Sequence, residues 1–207
     1  MTLPKVLVIT PDRIGPSMAG PAIRAAAIAD ALSKQNETVL LSLSKASEQI
    51  NSGAKVVNTN GKKWVKWADV VIYQGIVLEH FRTLRKGKKF LIADMYDPLH
   101  IEYLGSAVNT SMYVRRAVLS VTAASIGLQM RLSDLILAAS PQQVTLWQSH
   151  MAAWNVIDPV EYDKDPELKN HIAIVPFGIS DSNPTIDRKS TRLNSSHVSE
   201  SRMPSSA

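Results

Sequence analysis

The densest group of chemically capable side chains lies in the segment ADMYDPLHIE, which contains Asp94, Asp97, His100 and Glu102. Carboxylates can accept hydrogen bonds from sugar hydroxyls, and a histidine can transfer a proton near neutral pH. Two other interpretations stay open: a metal site, although the spacing is not typical of ligands, or a turn at Asp97-Pro98 that caps a helix. We expect a sugar-binding site without a metal, with Asp97 and His100 as candidate catalytic residues.

A second group lies in the segment GPSMAGPAIR, where Gly15 and Gly20 precede a helical pattern that contains Arg24. Glycines let a backbone approach a ligand closely, and the free N–H groups of a helix start attract phosphate. The loop lacks both the G-x-G-x-x-G fingerprint and the Lys of a P-loop, so NAD and Walker-type ATP binding are not expected. Either the loop contacts a phosphate or a sugar with help from Arg24, or its glycines serve only the turn.

The composition excludes several other functions. The chain has no cysteine, which excludes disulfides, thiolate metal sites and a cysteine nucleophile, and it has no G-x-S-x-G nucleophile motif. The net charge is +5, and basic residues cluster in RTLRKGKK (Arg82–Lys89), which is either a solvated turn or a patch for anionic lipid or polyphosphate. A nucleic-acid partner is not expected. The six-residue apolar run near the N-terminus is too short for a signal peptide, so we expect a soluble, cytoplasmic chain.

Strand and helix patterns alternate along the chain. Continuous apolar runs are typical of strands that are buried on both faces. Seven such runs predict strands in KVLVIT, ETVLLSLS, AKVVN, residues 70–74, KFLIADMYD, SDLILAAS and HIAIVPFG. Helical patterns lie between them, in GPAIRAAAIADALSK, VLEHFRTLRK, residues 113–131 and PQQVTLWQSHMAAW. This alternation predicts an α/β protein with a doubly wound, Rossmann-like parallel sheet.

In this fold class, ligands bind beyond the carboxyl ends of the strands. Polar and glycine-containing segments follow the predicted strands, among them TPDRIGPSMAGPAIR, YQGI, DMYDPLHIE, AASPQQ and PFGIS. We therefore expect one ligand-binding edge that gathers these segments. Trp147 and Trp154 lie seven residues apart on one helical pattern, and we expect them in the core or at a domain interface rather than against a ligand.

Four segments in combination resemble the N-terminal domain of bacterial GT-B glycosyltransferases of family 4. They are KVLVITPDRIGPSMAGPAIRAAAIADAL, FLIADMYDPLHIE, SDLILAASPQQVTLWQ and IAIVPFGI, within residues 5–179. The resemblance implies two Rossmann-like domains, of which the first binds the acceptor and the second holds a nucleotide-sugar donor. It further implies anomer-retaining hexosyl transfer, with no metal or cofactor, to a cell-envelope glycan or a lipid-linked acceptor, with peripheral contact at the inner membrane face.

The resemblance also implies places for particular residues. Gly20 and its loop would lie near the donor phosphates, and Pro176–Gly178 would lead into the interdomain linker. Many relatives have a histidine directly after the fifth strand, where this chain has Tyr96-Asp97. The predicted donor-phosphate loop comprises Gly15, Gly20 and Arg24, and the predicted acceptor-side cleft comprises Gln74, Gly75, Asp97, Glu102 and Ser140.

The C-terminal segment Asp187–Ala207 is rich in serine and has no apolar periodicity, which predicts a disordered tail. Residues 187–197 and 201–207, back-translated in one frame, resemble a common sequencing-library adapter. We therefore expect an acceptor-side domain at residues 1–180, the start of a linker at residues 181–186, and an artefactual tail.

The donor-binding domain is thus expected to be missing from this chain. A fragment of this kind should be inactive alone, with apolar surface exposed near Trp147, Trp154 and Phe177. The alternative hypothesis is a stand-alone, non-catalytic Rossmann-like binding module. A nucleoside-diphosphate-sugar epimerase or dehydrogenase is disfavoured because the dinucleotide fingerprint is lacking.

Overall fold

Seven strands form one parallel sheet, in the spatial order β3-β2-β1-β4-β5-β6-β7. The chain builds outward from β1 to β3, then returns to the other side of β1 and continues to β7. This reversal makes the sheet doubly wound and confirms the predicted Rossmann-like α/β class. The strands are β1 (Lys5–Thr10), β2 (Glu37–Ser42), β3 (Lys55–Val57), β4 (Val70–Tyr73), β5 (Phe90–Asp94), β6 (Leu135–Ala138) and β7 (Ile172–Ile174).

The computed structural model describes residues 3–178, and its compact unit ends at Phe177. The predicted linker at residues 181–186 and the tail at residues 187–207 lie outside the described residues. The helices of the described part are α1 (Gly20–Ser33), α2 (Gly61–Trp67), α3 (Val77–His80), α4 (Leu99–Ser106), α5 (Met112–Leu132), α6 (Pro141–Ala153) and α7 (Pro159–Tyr162), with a 3-10 helix at Arg82–Lys86.

The central strand β1 shows why the strand sequences are continuously apolar. Leu7 and Ile9 pack into the core on one face of the sheet, while Val6 and Val8 pack on the other face. The second face is covered by α1, whose small buried residues, such as Ala25, let the helix lie close to the strands. Since both faces are buried, no position of β1 after Lys5 can be polar without a partner.

The segment VLEHFRTLRK does not form the single helix that its pattern predicts. It forms α3, then breaks at Phe81, whose backbone is not helical (φ −113°, ψ 74°), and continues as the 3-10 helix. Phe81 is buried in the core, so the helix breaks at a residue whose ring packs inward. Arg85 Nε donates to the carbonyl oxygen of Leu78 across this break. The helix α2 was not predicted from its sequence, GKKWVKW.

The tryptophans do not form the exposed apolar surface that truncation predicts. Trp147 is fully buried, and its indole N–H donates to the carbonyl oxygen of Met95 at 2.9 Å. Trp154 is half-buried and packs against the core. Of Trp147, Trp154 and Phe177, only Phe177 is exposed. The expected exposure was therefore wrong for Trp147, whereas the expectation that Trp147 lies in the core is confirmed. Exposed apolar side chains instead concentrate on α4 and the first half of α5: Ile101, Tyr103, Val108, Met112, Tyr113, Val114 and Val121.

Two glycines give a matched test of packing between α5 and the α6 terminus. A Cβ at Gly127 would lie 2.9 Å from three atoms of the Trp154 ring, whereas a Cβ at Gly105 would meet no atom within 4 Å. We expect Gly127→Ala to lower the free energy of unfolding by about 1–3 kcal/mol because the ring must shift. Gly105→Ala should leave it unchanged or raise it by up to about 1 kcal/mol. Urea denaturation of both variants checks this, and equal stabilisation by both would contradict it.

Candidate functional site

A cavity of about 460 Å³ opens at the carboxyl edge of the sheet, where the strand order reverses between β1 and β4. Crevices of this kind are the usual ligand sites of doubly wound sheets. The walls come from the segments that follow β1, β4 and β5, and from one face each of α4 and α5. The lining residues are Pro11, Asp12, Pro21, Gln74, Gly75, Ile76, Asp94, Met95, Tyr96, Asp97, Leu99, Glu102, Tyr103, Ser106, Ile126 and Gln129.

A buried ion pair beside the cavity joins Arg24 of α1 to Asp94 at the end of β5. Arg24 Nε donates to both carboxylate oxygens of Asp94 at 2.9 Å, and Nη2 lies 2.8 Å from Oδ1. Both residues are 3% exposed. Arg24 Nη1 also donates to the carbonyl oxygen of Val175 at 2.8 Å. The pair therefore ties α1 to the ends of two strands, β5 and β7.

Arg24, predicted to help the glycine loop to contact a phosphate or a sugar, is instead engaged in this buried pair. Its charge faces Asp94, and its guanidinium lies against the rings of both Tyr96 and Phe177, with 5.1 and 5.0 Å from Cζ to the ring centroids. The two rings also contact each other edge to face at 5.2 Å. These cation–π contacts attach Phe177, the last residue of the compact unit, to the edge of the sheet.

Gln74 joins the same network from the end of β4. Its Nε2 donates to Asp94 Oδ2 at 2.9 Å and to the carbonyl oxygen of Pro21 at 3.2 Å. Because both partners are acceptors, the amide orientation is fixed, and Oε1 is buried without a hydrogen-bond partner. Gly75 follows with φ +60°, a conformation that favours glycine, and turns the chain along the cavity wall. The two residues predicted at this position, Gln74 and Gly75, both line the cavity.

Asp97 and Glu102 face each other across the start of α4, and both line the cavity. Burial, then a hydrogen bond to Glu102, then repulsion by the same carboxylate raise the pKa of Asp97 from 3.8 to about 6. Asp97 therefore keeps its proton in mildly acidic solution and is ionised above it. The structure brings together the predicted residues Gln74, Gly75, Asp97 and Glu102.

The capping alternative for Asp97-Pro98 finds no support in the geometry. Pro98 is the residue before α4, and no side chain caps this helix. Only the backbone carbonyl of Asp97 takes part, as the acceptor of the Leu99 N–H.

His100 does not reach the cavity. The lining residues of α4 are Leu99, Glu102, Tyr103 and Ser106, which follow helical spacing on one face, and His100 lies outside this set. Its Nε2 is 3.3 Å from Nε2 of His150. Burial and the neighbouring His150 lower the pKa of His100, so His100 is neutral near pH 7. The structure thus separates the two candidate catalytic residues, Asp97 and His100.

The glycine loop and Ser140 lie beside the cavity rather than in its wall. Gly20 begins α1, is exposed and has open space around its Cα, whereas Gly15 is buried in the loop near Arg13 and Glu48. Ser140 precedes α6, and its hydroxyl accepts a hydrogen bond from the backbone N–H of Gln143. This bond caps the helix and confirms that Ser140-Pro141 opens it.

Two other predicted features have structural partners. Within the basic segment, Lys89 Nζ donates to the carbonyl oxygens of Lys66 and Ala68, which favours the interpretation as a turn. No group of three His, Asp or Glu side chains in residues 3–178 is arranged to hold a metal ion. Within the same residues, no helix combines the length and apolarity that a membrane crossing requires.

A second cavity, of about 410 Å³, lies at the opposite, amino edge of β6 and β7, where Asp134, Glu161, Asn170 and His171 contribute polar groups. It is remote from the reversal of strand order. The side chains of the first cavity that the sequence analysis missed are Tyr103, Ser106, Ile126 and Gln129. The helical spacing of Leu99, Glu102, Tyr103 and Ser106 could have identified the α4 members.

Comparison with known proteins gives no family assignment. No protein-family model matches the chain, and no curated protein sequence matches it significantly.

The buried ion pair can be tested by a double-mutant cycle. We expect Asp94→Asn to lower the free energy of unfolding by about 3–5 kcal/mol, because it leaves the Arg24 charge buried without a counter-charge. Arg24→Met should cost a similar amount, and the double variant should be less destabilised than the sum of the single variants.

The control is Glu167→Gln at the exposed pair with Lys169, which should change stability by less than about 1 kcal/mol. Denaturant unfolding measures all four variants. Additive losses for Arg24 and Asp94 would contradict the coupling.

The raised pKa of Asp97 makes the stability of the folded protein depend on pH. Because the folded-state pKa lies above the ordinary value of 3.8, the contribution is fully present below pH 3.8 and is lost as the pH rises through about 6. A carbon-detected NMR titration should place the Asp97 midpoint near 6. In Glu102→Gln the midpoint should fall, whereas Asp163→Asn, at an exposed position outside the cavity, should leave it unchanged. A wild-type midpoint near 4 would contradict the raised pKa of Asp97.

Proposed function

We propose that this chain is the acceptor-binding half of a nucleotide-sugar-dependent glycosyltransferase, and that the cavity between β1 and β4 holds the sugar acceptor. The observation that carries the proposal is the lining of this cavity. Side chains that carry carboxylates, an amide and hydroxyls line one space at the topological switch point, and the amide oxygen of Gln74 has no hydrogen-bond partner among the described residues. Hydroxyl-rich ligands need such acceptors, and the rings of Tyr96 and Tyr103 add apolar surface for the faces of a sugar.

The arrangement supports two tasks for its residues. Gln74 Oε1 and the Asp97–Glu102 pair would accept hydrogen bonds from acceptor hydroxyls and so fix the orientation of the sugar. Asp97 is largely ionised at neutral pH because its pKa is about 6, so it can draw a proton from a hydroxyl as that oxygen attacks the donor. The Arg24–Asp94 pair would act as a support for Gln74.

A donor site is not complete in the described residues. The free cations that commonly hold a nucleotide diphosphate are lacking among the residues that line this cavity, and Arg24 is paired. We propose that a second domain supplies the donor-binding groups, and that the open start of α1 at Gly20 contributes to the donor phosphates from this side. Peripheral contact with a membrane stays a prediction from the sequence.

One observation favours a second candidate, the stand-alone binding module. The cavity is formed wholly by residues of one compact unit, so a ligand could bind without any catalytic partner. The two proposals share the same ligand class and differ in whether a sugar is transferred.

Two measurements separate them. The 207-residue chain should release no nucleoside diphosphate from a panel of nucleotide-sugars, because no lysine or arginine is among the described residues that line the cavity. The source DNA, read past the codon for Ile186, should continue in frame into a second α/β domain. The protein encoded by that longer frame should transfer sugar, and Asp97→Asn should lower its kcat by about 100-fold or more. Turnover by the 207-residue chain alone would contradict the division into halves, and a frame that ends at Ala207 would favour the binding module.

A further inference from the structure

The charges that line the cavity are all of one sign. Asp12, Asp94, Asp97 and Glu102 contribute four carboxyls, whereas the described lining residues include no Lys, Arg or His. Only Asp94 is neutralised, by Arg24. Among the described residues, the carboxyls of Asp12, Asp97 and Glu102 therefore have no cationic partner and can interact with a ligand in the cavity.

The effect of these carboxyls is evident at Tyr96, which lies among them. Burial raises the pKa of the Tyr96 phenol, and repulsion by Asp97, Asp94, Asp12 and Glu102 raises it further. The phenol therefore stays protonated at neutral pH. The position of Asp12, Asp97 and Glu102 around one space, with no lysine, arginine or histidine among the described lining residues, gives the cavity a negative potential.

A buried acceptor points to the same ligand chemistry independently. Gln74 is 4% exposed and belongs to the cavity wall, and its Oε1 is buried without a hydrogen-bond partner among the described residues. A buried carbonyl oxygen without a donor costs about 1–3 kcal/mol. A ligand that brings a hydrogen-bond donor next to this oxygen and a positive charge next to the carboxyls would satisfy the oxygen and neutralise the carboxyls.

We propose that the cavity selects an amine-bearing sugar in its protonated, cationic form and rejects anionic sugars. This inference rests on the proposed function of the same cavity. The ammonium group has three donors and no acceptor, so it can donate to the carboxylates of both Asp97 and Glu102 and neutralise part of their charge. The sugar hydroxyls would then donate to Gln74 Oε1. A uronic acid or a sugar phosphate would instead add a negative charge beside three others.

The test compares three monosaccharides that differ in charge: glucosamine, glucose and glucuronate. Each is titrated into the 207-residue chain near pH 7 with a chelator present, and binding is followed by two-dimensional NMR. We expect glucosamine to bind about tenfold more tightly than glucose, which corresponds to about 1.4 kcal/mol, and glucuronate to bind most weakly. High salt should reduce the difference.

Glu102→Gln should reduce the preference for glucosamine over glucose several-fold, while Asp163→Asn should leave it unchanged. Circular dichroism verifies that both variants are folded. Equal binding of glucosamine and glucose, or tighter binding of glucuronate, would overturn the inference and leave the proposed function standing. If none of the three sugars perturbs the resonances of the cavity residues, both the inference and the proposed function fail.

Discussion

The buried pair of Arg24 and Asp94 is the constraint on which the site depends. A carboxylate at the end of β5 cannot be buried alone, because an unpaired charge in the interior is very costly. Arg24 supplies the counter-charge from α1, and two further bonds extend the network, one from Arg24 to the Val175 carbonyl and one from Gln74 to Asp94. One ion pair thus joins α1 to the ends of β4, β5 and β7 at the edge where ligands bind.

The same network decides the chemistry of the cavity. Because Arg24 is occupied by Asp94, it does not add a positive charge to the space, and the remaining carboxyls determine the potential. Because Gln74 uses its amide nitrogen to hold Asp94 and the Pro21 carbonyl, its oxygen is left as an acceptor. The cavity is therefore suited to donors and cations, and poorly suited to a nucleotide phosphate. This arrangement agrees with the proposed donor site on a second domain.

The sequence predicted the sheet well because buried strands need continuous apolar runs, and all seven runs became strands. It also located Gln74, Gly75, Asp97 and Glu102, because these residues follow strands that end at one edge. It failed where the outcome depends on distant partners. Arg24 and Asp94 are 70 residues apart, so nothing local shows that the arginine is paired. His100 was misplaced beside Asp97 because sequence proximity does not state which face of α4 a residue occupies, although helical spacing could have separated them.

A crystal structure of the chain with a bound monosaccharide is the most direct test of the proposed sugar site. We expect the sugar between β1 and β4, with one hydroxyl within hydrogen-bond distance of Gln74 Oε1 and another group on Asp97 and Glu102, and with the Arg24–Asp94 pair intact. A sugar bound instead at the amino edge beside Asp134 and His171, with the first cavity empty, would contradict it.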